Sequence, residues 1–290
     1  MPIKEQDTMA KEVIFEHYSV FGQTDVGLKR THNEDSILIN AQNGLLLIAD
    51  GMGGHDAGEV ASLAATTLIN QLFQQYLPKT KSSQITTPTI WHNISAFLNL
   101  KSIIQPIDSK HYLQTIEDII VAANQHIFQL NQERGAPEGT GMGTTIVGCY
   151  LTANAQKLVV FHVGDSRLYR FTKQHQLKQI TKDHSILQLW RDSGRVGYPP
   201  NSNVILQALG PSVSIQPAIQ IIDIDLKKDA YFLLCSDGLS DMLEDTNLAK
   251  IMTELDNKSL EFVVQKLIDS AKKRGGKDNI SAIILQTEQR

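Results

Sequence analysis

What the chain has little of narrows the field first. Two cysteines, Cys149 and Cys235, stand among 290 residues. Each lies in an apolar, strand-like run, TTIVGCYL and YFLLCSDG. That setting fits two buried free thiols and argues against a disulfide framework or a thiolate metal site. No His or Cys spacing suits zinc. A basic excess is also missing. Lys and Arg number 27 against 31 Asp and Glu, for a net charge of −4 and a pI near 6.1. The charge signature of a nucleic-acid surface is therefore absent. No apolar stretch approaches the roughly 18 residues a membrane span needs. The opening MPIKEQDTMAKEVIFEHYSV has no apolar core of signal-peptide length. The chain reads as cytoplasmic on these grounds, with export by an atypical route left open. No internal repeat or dividing linker is evident, so a single domain over 1–290 is expected.

What is present is ordinary globular material, 41% hydrophobic and 20% charged. Strand-length apolar runs recur: SILIN (36–40), LLLIA (45–49), TTIVGCYL (144–151), KLVVFHV (157–163), SRLYRF (166–171), AYFLLCS (230–236) and ISAIILQ (280–286). QNG at 42–44, NAQ at 154–156 and TKQHQ at 172–176 read as hairpin links. Helical period marks three segments. Residues 59–76 place Val60, Leu63, Ala64, Leu68 and Leu72 on one stripe; 112–134 do so with Leu113, Ile116, Ile120, Ala123, Ile127 and Leu130. Residues 259–274 open on Ser259 as an N-cap, carry Val263, Val264, Leu267 and Ala271, and stop at Gly275 and Gly276. This order is not a strict βαβ alternation. It suits mostly antiparallel sheets with helices packed outside, an α+β fold. Residues 78–110 read as an insertion, and 183–211, broken by Gly and Pro, as an irregular, flap-like lid or binding loop.

Aspartates fall at the strand ends. Asp50 follows LLLIA, Asp165 follows VVFHVG, and Asp237 follows FLLCS; Asp35 precedes SILI, and Asp278 precedes NISAIIL. In an antiparallel sheet the C-terminal end of one strand lies beside the N-terminal end of its neighbour, so all five can gather on one edge. Asp favours turns and caps, and any one of them alone would be explained that way. Five together form a cluster that repels itself unless cations sit among them. Hard oxygen donors favour Mg²⁺ or Mn²⁺ over Ca²⁺ for catalysis. Four glycines, Gly51, Gly53, Gly54 and Gly58, follow Asp50 closely and let the backbone approach, so that the Gly51 carbonyl can itself be a ligand. A phosphate-binding P-loop would need Lys-Ser or Lys-Thr after them, and neither is there.

The series RTHNED (30–35), ADGMGGHDAGE (49–59), GMGTT (141–145), GDSR (164–167), TKDH (181–184), CSDGLSD (235–241) and KDN (277–279) resembles the motifs of the metal-dependent protein serine/threonine phosphatases of type 2C. The motifs occur in family order over roughly residues 20 to 286, and DGMGGH resembles the bacterial branch. The resemblance implies a four-layer α-β-β-α sandwich, with two antiparallel sheets between helix layers and the metals at one end. It implies that Asp50 bridges two Mn²⁺ or Mg²⁺ ions, with room for a third, weaker one. Gly51 (through its carbonyl) and Glu34 match positions of the second ion, Asp237 and Asp278 those of the first, and Asp165 that of the third. Asp35 and Asn279 match supporting residues, and Arg30 the arginine that grips the substrate phosphate. Paired cations acidify a shared water, which attacks phosphorus in line. The departing alkoxide wants a proton. Animal members carry a histidine directly after the Asp-Gly pair as the proposed acid; this chain has Met52, which cannot donate. His55 or a metal-bound water would take that place.

Competing readings attach to several of these residues. His55 reads equally as acid and as a loop residue capping the next helix. His32 and His184 read as structural or solvent-facing, Arg167 as a brace for the Asp165 turn, and Thr144 and Thr145 as strand packing. The expected activity is hydrolysis of phosphoserine and phosphothreonine in proteins. A binding protein that has lost activity and a phosphatase of small phosphomonoesters are the alternatives. Retention of Asp50, Asp165, Asp237 and Asp278 weighs against the first alternative. The implied partners are phosphorylated proteins and a serine/threonine kinase that supplies them, with the chain itself a monomer.

Overall fold

The computed structural model describes residues 10–15, 18–53, 57–77, 112–152, 157–200, 204–225 and 228–287. The insertion at 78–110, the link at 154–156 and His55 lie outside the described residues. The element order is β1 (Ala10–Phe15), β2 (Tyr18–Asp25), β3 (Asp35–Asn40), β4 (Leu45–Met52), α1 (Ala57–Tyr76), α2 (Tyr112–Glu133), β5 (Gly143–Leu151), β6 (Lys157–Val163), β7 (Arg167–Thr172) and β8 (Leu177–Gln179). It continues with α3 (Ile186–Asp192), β9 (Ala218–Asp223), β10 (Asp229–Cys235), α4 (Asp237–Ser240), α5 (Asp245–Met252), α6 (Leu260–Lys273) and β11 (Ile280–Thr287). Two antiparallel sheets result, one ordered β1-β2-β11-β10-β7-β8 and the other β3-β4-β5-β6-β9.

Side-chain alternation along the strands builds the layers. In β4, Leu45, Leu47 and Ala49 point to one face and join α1 and α2 in one core. Leu46 and Ile48 point the other way, into a second core shared with Phe232, Leu234, Ile283 and Leu285 of the opposite sheet. The outer face of that opposite sheet, through Leu233, Cys235, Ala282 and Ile284, packs on Val263, Val264, Leu267 and Ile268 of α6. The four-layer α-β-β-α sandwich follows. Burial on both faces is why LLLIA and VVFHV read as unbroken apolar runs instead of alternating ones.

Helix α6 begins at Ser259, whose hydroxyl accepts from Phe262 N–H. It ends where Gly275 and Gly276 adopt φ of +133° and +49°, a region open to glycine. The turn at Ala41–Gly44 joins β3 to β4, closed by Gly44 N–H on Ala41 O with φ of +66° at the glycine. The stripe expected on α1 is displaced. Val60 and Leu63 are exposed, while Ala61, Ala65, Leu68, Ile69, Leu72 and Phe73 are buried. Small alanines let α1 sit close on the sheet, so the contact face centres on residues that a hydrophobicity pattern underweights. Leu113 of α2 is exposed for the same kind of phase error.

Candidate metal centre and phosphate pocket

The two sheets are tied together at one end, and the carboxylates collect there. Asp35 opens β3 and lies directly across from Asp50 of β4. Asp50 in turn lies across from Thr145 of β5, and Thr144 Oγ1 donates to the Asp50 carbonyl at 2.9 Å. Asp35 belongs to the five-stranded sheet, yet its Oδ2 accepts from Ser236 Oγ at 2.8 Å and Ser281 Oγ at 2.6 Å. Both serines belong to the six-stranded sheet's end of the molecule, Ser236 just after β10 and Ser281 within β11. Asp35 therefore pins the sheets to each other where Asp237 and Asp278 emerge.

A second clamp holds the loop that carries Arg30 and Glu34. Asn279 Nδ2 donates to the carbonyls of Val26 (3.0 Å) and His32 (2.9 Å), and its Oδ1 accepts from Glu34 N–H at 2.8 Å. Gly51 N–H donates to the Glu34 carbonyl at 3.1 Å. The glycines make these approaches possible. A Cβ on Gly51 would collide with the carbonyls of Gly58 and Glu34, one on Gly58 would sit 2.8 Å from the Glu34 carboxylate, and one on Gly238 would strike the Asn279 carbonyl. The low side-chain content after Asp50 thus serves to seat Glu34 against the first turn of α1.

Arg30, Glu34, Asp50, Gly51, Asp165, Asp237 and Asp278 all line one cavity of about 530 Å³. Asp35 and Asn279 stand behind it as clamps. Met52 lines it too, alongside Thr145, Asp241 and Lys277, to which the sequence reading gave no role in the site. Asp241 ends CSDGLSD and Lys277 opens KDN, but spacing alone does not fix which way either side chain faces. Arg30 Nη2 donates to Asp278 Oδ2 at 2.8 Å, with both side chains partly exposed. Asp278 Oδ1 accepts from Asn279 N–H at 2.8 Å.

The electrostatics record how crowded the carboxylates are. Burial pushes the Asp50 and Asp237 carboxyls well above the ordinary range. Asp35, Asp237, Asp278 and Asp165 add repulsion at Asp50, and Asp165, Asp241, Asp278 and Asp35 at Asp237. Burial raises Asp165 to about 6, with Asp183 adding to the rise. Burial likewise raises Asp35 to about 6, against the downward pull of its two serine hydroxyls. Asp35 Oδ1 is buried without a hydrogen-bond donor. Asp35 and Asp50 can satisfy one another only by sharing a proton.

Among the described residues, no three His, Cys, Asp or Glu groups form a finished cage around one point. The donors ring a cavity instead, with Asp278 turned toward Arg30. The donor chemistry still fits divalent cations. The donors are hard oxygens, and they carry excess negative charge crowded at Asp50 and Asp237. Nearby, Arg167 forms a buried ion pair with Asp183, Nη2 to Oδ2 at 2.6 Å and Nε to Oδ1 at 3.0 Å. It braces the segment beside Asp165 through residue 183. His184 Nδ1 accepts from Gly164 N–H at 3.3 Å and its ring stacks on His162 at 4.6 Å. Thr145 bonds Ser166 at 2.8 Å. His32 is exposed, and its carbonyl is held by Asn279. In the flap-like segment, Ser185 caps α3 and Trp190 Nε1 donates to the Val196 carbonyl at 2.9 Å. Among the described residues no helix is long and apolar enough to cross a membrane.

Comparison with known proteins gives one consistent result. The profile described as protein phosphatase 2C matches residues 28–269. The chain is 29% identical over 274 residues to the serine/threonine phosphatase stp of Listeria monocytogenes, covering 92% of this chain and 94% of that protein. It is 30% identical over 275 residues to the protein phosphatase PhpP of Streptococcus pneumoniae, covering 92% and 96%. The crystal structure of the catalytic domain of the serine/threonine protein phosphatase PstP in complex with two manganese ions superposes with a TM-score of 0.71. The identity there is 27%, over 94% of this chain and 99% of that one. With the profile spanning most of its length and the sandwich shared with solved relatives, the chain belongs to the protein phosphatase 2C family.

Proposed function

We propose that this chain is a Mn²⁺- or Mg²⁺-dependent phosphatase that removes phosphate from serine and threonine side chains of proteins, with residues 20–286 as its catalytic unit. One observation carries the reading: six carboxylates and Arg30 line a single cavity at the joined ends of the two sheets. The PstP catalytic domain, alike in fold, holds two manganese ions. Asp50, Asp237 and Asp278 would hold one core ion, and Asp50, the Gly51 carbonyl and Glu34 the other. Asp165 would serve a third, weaker one. When bound, the ions acidify a water for attack on phosphorus and offset the charge of the phosphate.

The chain's own groups do the rest. Arg30 offers a guanidinium with five N–H donors, one of which Asp278 takes; among the described residues no other side chain takes the rest, which can meet phosphate oxygens in the planar, bidentate manner this group favours. Asn279 fixes the backbone on which both Arg30 and Glu34 sit. Asp35 keeps the two sheet ends in register. Met52 faces the cavity and cannot supply the leaving group's proton; His55 or a water held at the cations remains the proposed donor. The partners are phosphorylated proteins, with a serine/threonine kinase as the source of the substrate and a cytoplasmic monomer as the working form. Release of phosphate from a phosphothreonine peptide tests the proposal. Asp50→Asn and Asp237→Asn should abolish it while leaving the circular dichroism of the fold intact, and unchanged turnover in either variant would refute it.

A further inference from the structure

Lys277 stands out among the residues around the cavity. Six carboxylates line that space, and the cations facing them are Arg30 and Lys277. Arg30 is engaged with Asp278. Among the described residues, Lys277 has no ion pair or hydrogen bond through its side chain, and it is exposed. Its place is set by backbone, since it follows Gly275 and Gly276 and precedes Asp278 and the Asn279 clamp. Gly276 packs on Leu28, and its carbonyl accepts from Leu28 N–H at 2.8 Å, which joins the Lys277 turn to the loop bearing Arg30. The ammonium reaches the cavity's field: burial raises the Asp241 carboxyl, and Arg167 and Lys277 pull it back down.

The cavity is thus polarised. Its floor is acidic, and one side of its mouth carries Arg30 beside Lys277. A flexible, exposed ammonium at a rim suits steering and selection, whereas phosphate gripping falls to the planar, fork-shaped guanidinium of Arg30. We infer that Lys277 is a specificity residue of this same site, favouring phosphoproteins with an acidic side chain next to the phosphorylated residue on the side that faces the 275–278 turn. The inference rests on the phosphatase reading above.

Three phosphothreonine peptides test it: one with aspartate on the N-terminal side, one with aspartate on the C-terminal side, and one with neutral residues on both. The unsubstituted chain should prefer one of the two acidic peptides in kcat/KM by about threefold to fivefold, the scale of an exposed ion pair. Added salt should shrink that preference. Lys277→Ala should bring the ratio to about one, Lys277→Arg should keep it, and Lys277→Glu should turn it against acidic neighbours. No preference in the unsubstituted chain, or a preference that survives Lys277→Ala, would overturn the inference. So would a Lys277→Ala variant that slows all three peptides alike, because that would place the lysine on the phosphate. Failure of the phosphatase reading looks different, since none of the three peptides would then release phosphate.

Discussion

Replacing Asp35 by asparagine should make the metal-free protein more stable at neutral pH. Burial lifts this carboxyl from its ordinary 3.8 to about 6. At about 1.4 kcal/mol per pH unit, keeping it ionised in the folded state costs about 3 kcal/mol. The sign follows from proton counting. Between pH 3.8 and about 6 the folded chain holds more of this proton than the unfolded chain does, so stability falls as pH rises through that window. Above it the full cost is present, and below it the cost vanishes. Asparagine carries no charge at any pH. Its carbonyl can still accept from Ser236 and Ser281, and its amide would occupy the place of the buried oxygen that lacks a donor. There it can donate to Asp50, which also loses a repelling neighbour. Urea unfolding of protein dialysed against chelator should show Asp35→Asn ahead by about 3 kcal/mol at pH 7.5, with the gap closing near pH 4. Equal or lower stability of the variant at pH 7.5 would refute the argument that the cluster is held together against its own charge.

Asp50→Asn should likewise raise the melting temperature of the metal-free chain while removing the response of that temperature to added Mn²⁺; an unchanged Mn²⁺ response would place the ions elsewhere. Gly238→Ala should cost about 1–3 kcal/mol, because its methyl group collides with the Asn279 carbonyl and the loop must move, and a thermal melt identical to the parent would contradict that packing. Asp183→Ala leaves the Arg167 guanidinium buried without its partner and should cost about 3–5 kcal/mol in denaturant unfolding. A loss under 1 kcal/mol would mean that water reaches Arg167.

The sequence made some of this legible for physical reasons. Strands buried on both faces, such as β4 and β6, announce themselves as apolar runs. The carboxylate cluster could be anticipated because antiparallel neighbours bring opposite strand ends together, and Asp35, Asp50, Asp165, Asp237 and Asp278 all stand at such ends. Strand β2 is hidden because Gly22, Gln23 and Thr24 interrupt its pattern, though all lie inside; a Cβ on Gly22 would press on Ile283. Strand β9, AIQIID, is an edge strand with three of its six residues exposed, and Gln220 and Asp223 break its apolar residues into short pieces that fall below a strand-length run. Contacts made between the sheets are the least legible. The tie from Asp35 to Ser236 and Ser281 depends on how the sheets stack, which no local pattern encodes, and the ion pair of Arg167 with Asp183 and the facing of Asp241 and Lys277 depend on how chain segments fold around the end of the six-stranded sheet.

The central claim is that clustered carboxylates act by holding divalent cations. Phosphate release from a phosphothreonine peptide, measured after exhaustive dialysis against chelator and again after Mn²⁺ is returned, tests it most directly. The expected result is no turnover without metal and recovery with it, in the parent chain and not in Asp50→Asn. Full turnover in excess chelator would contradict the claim.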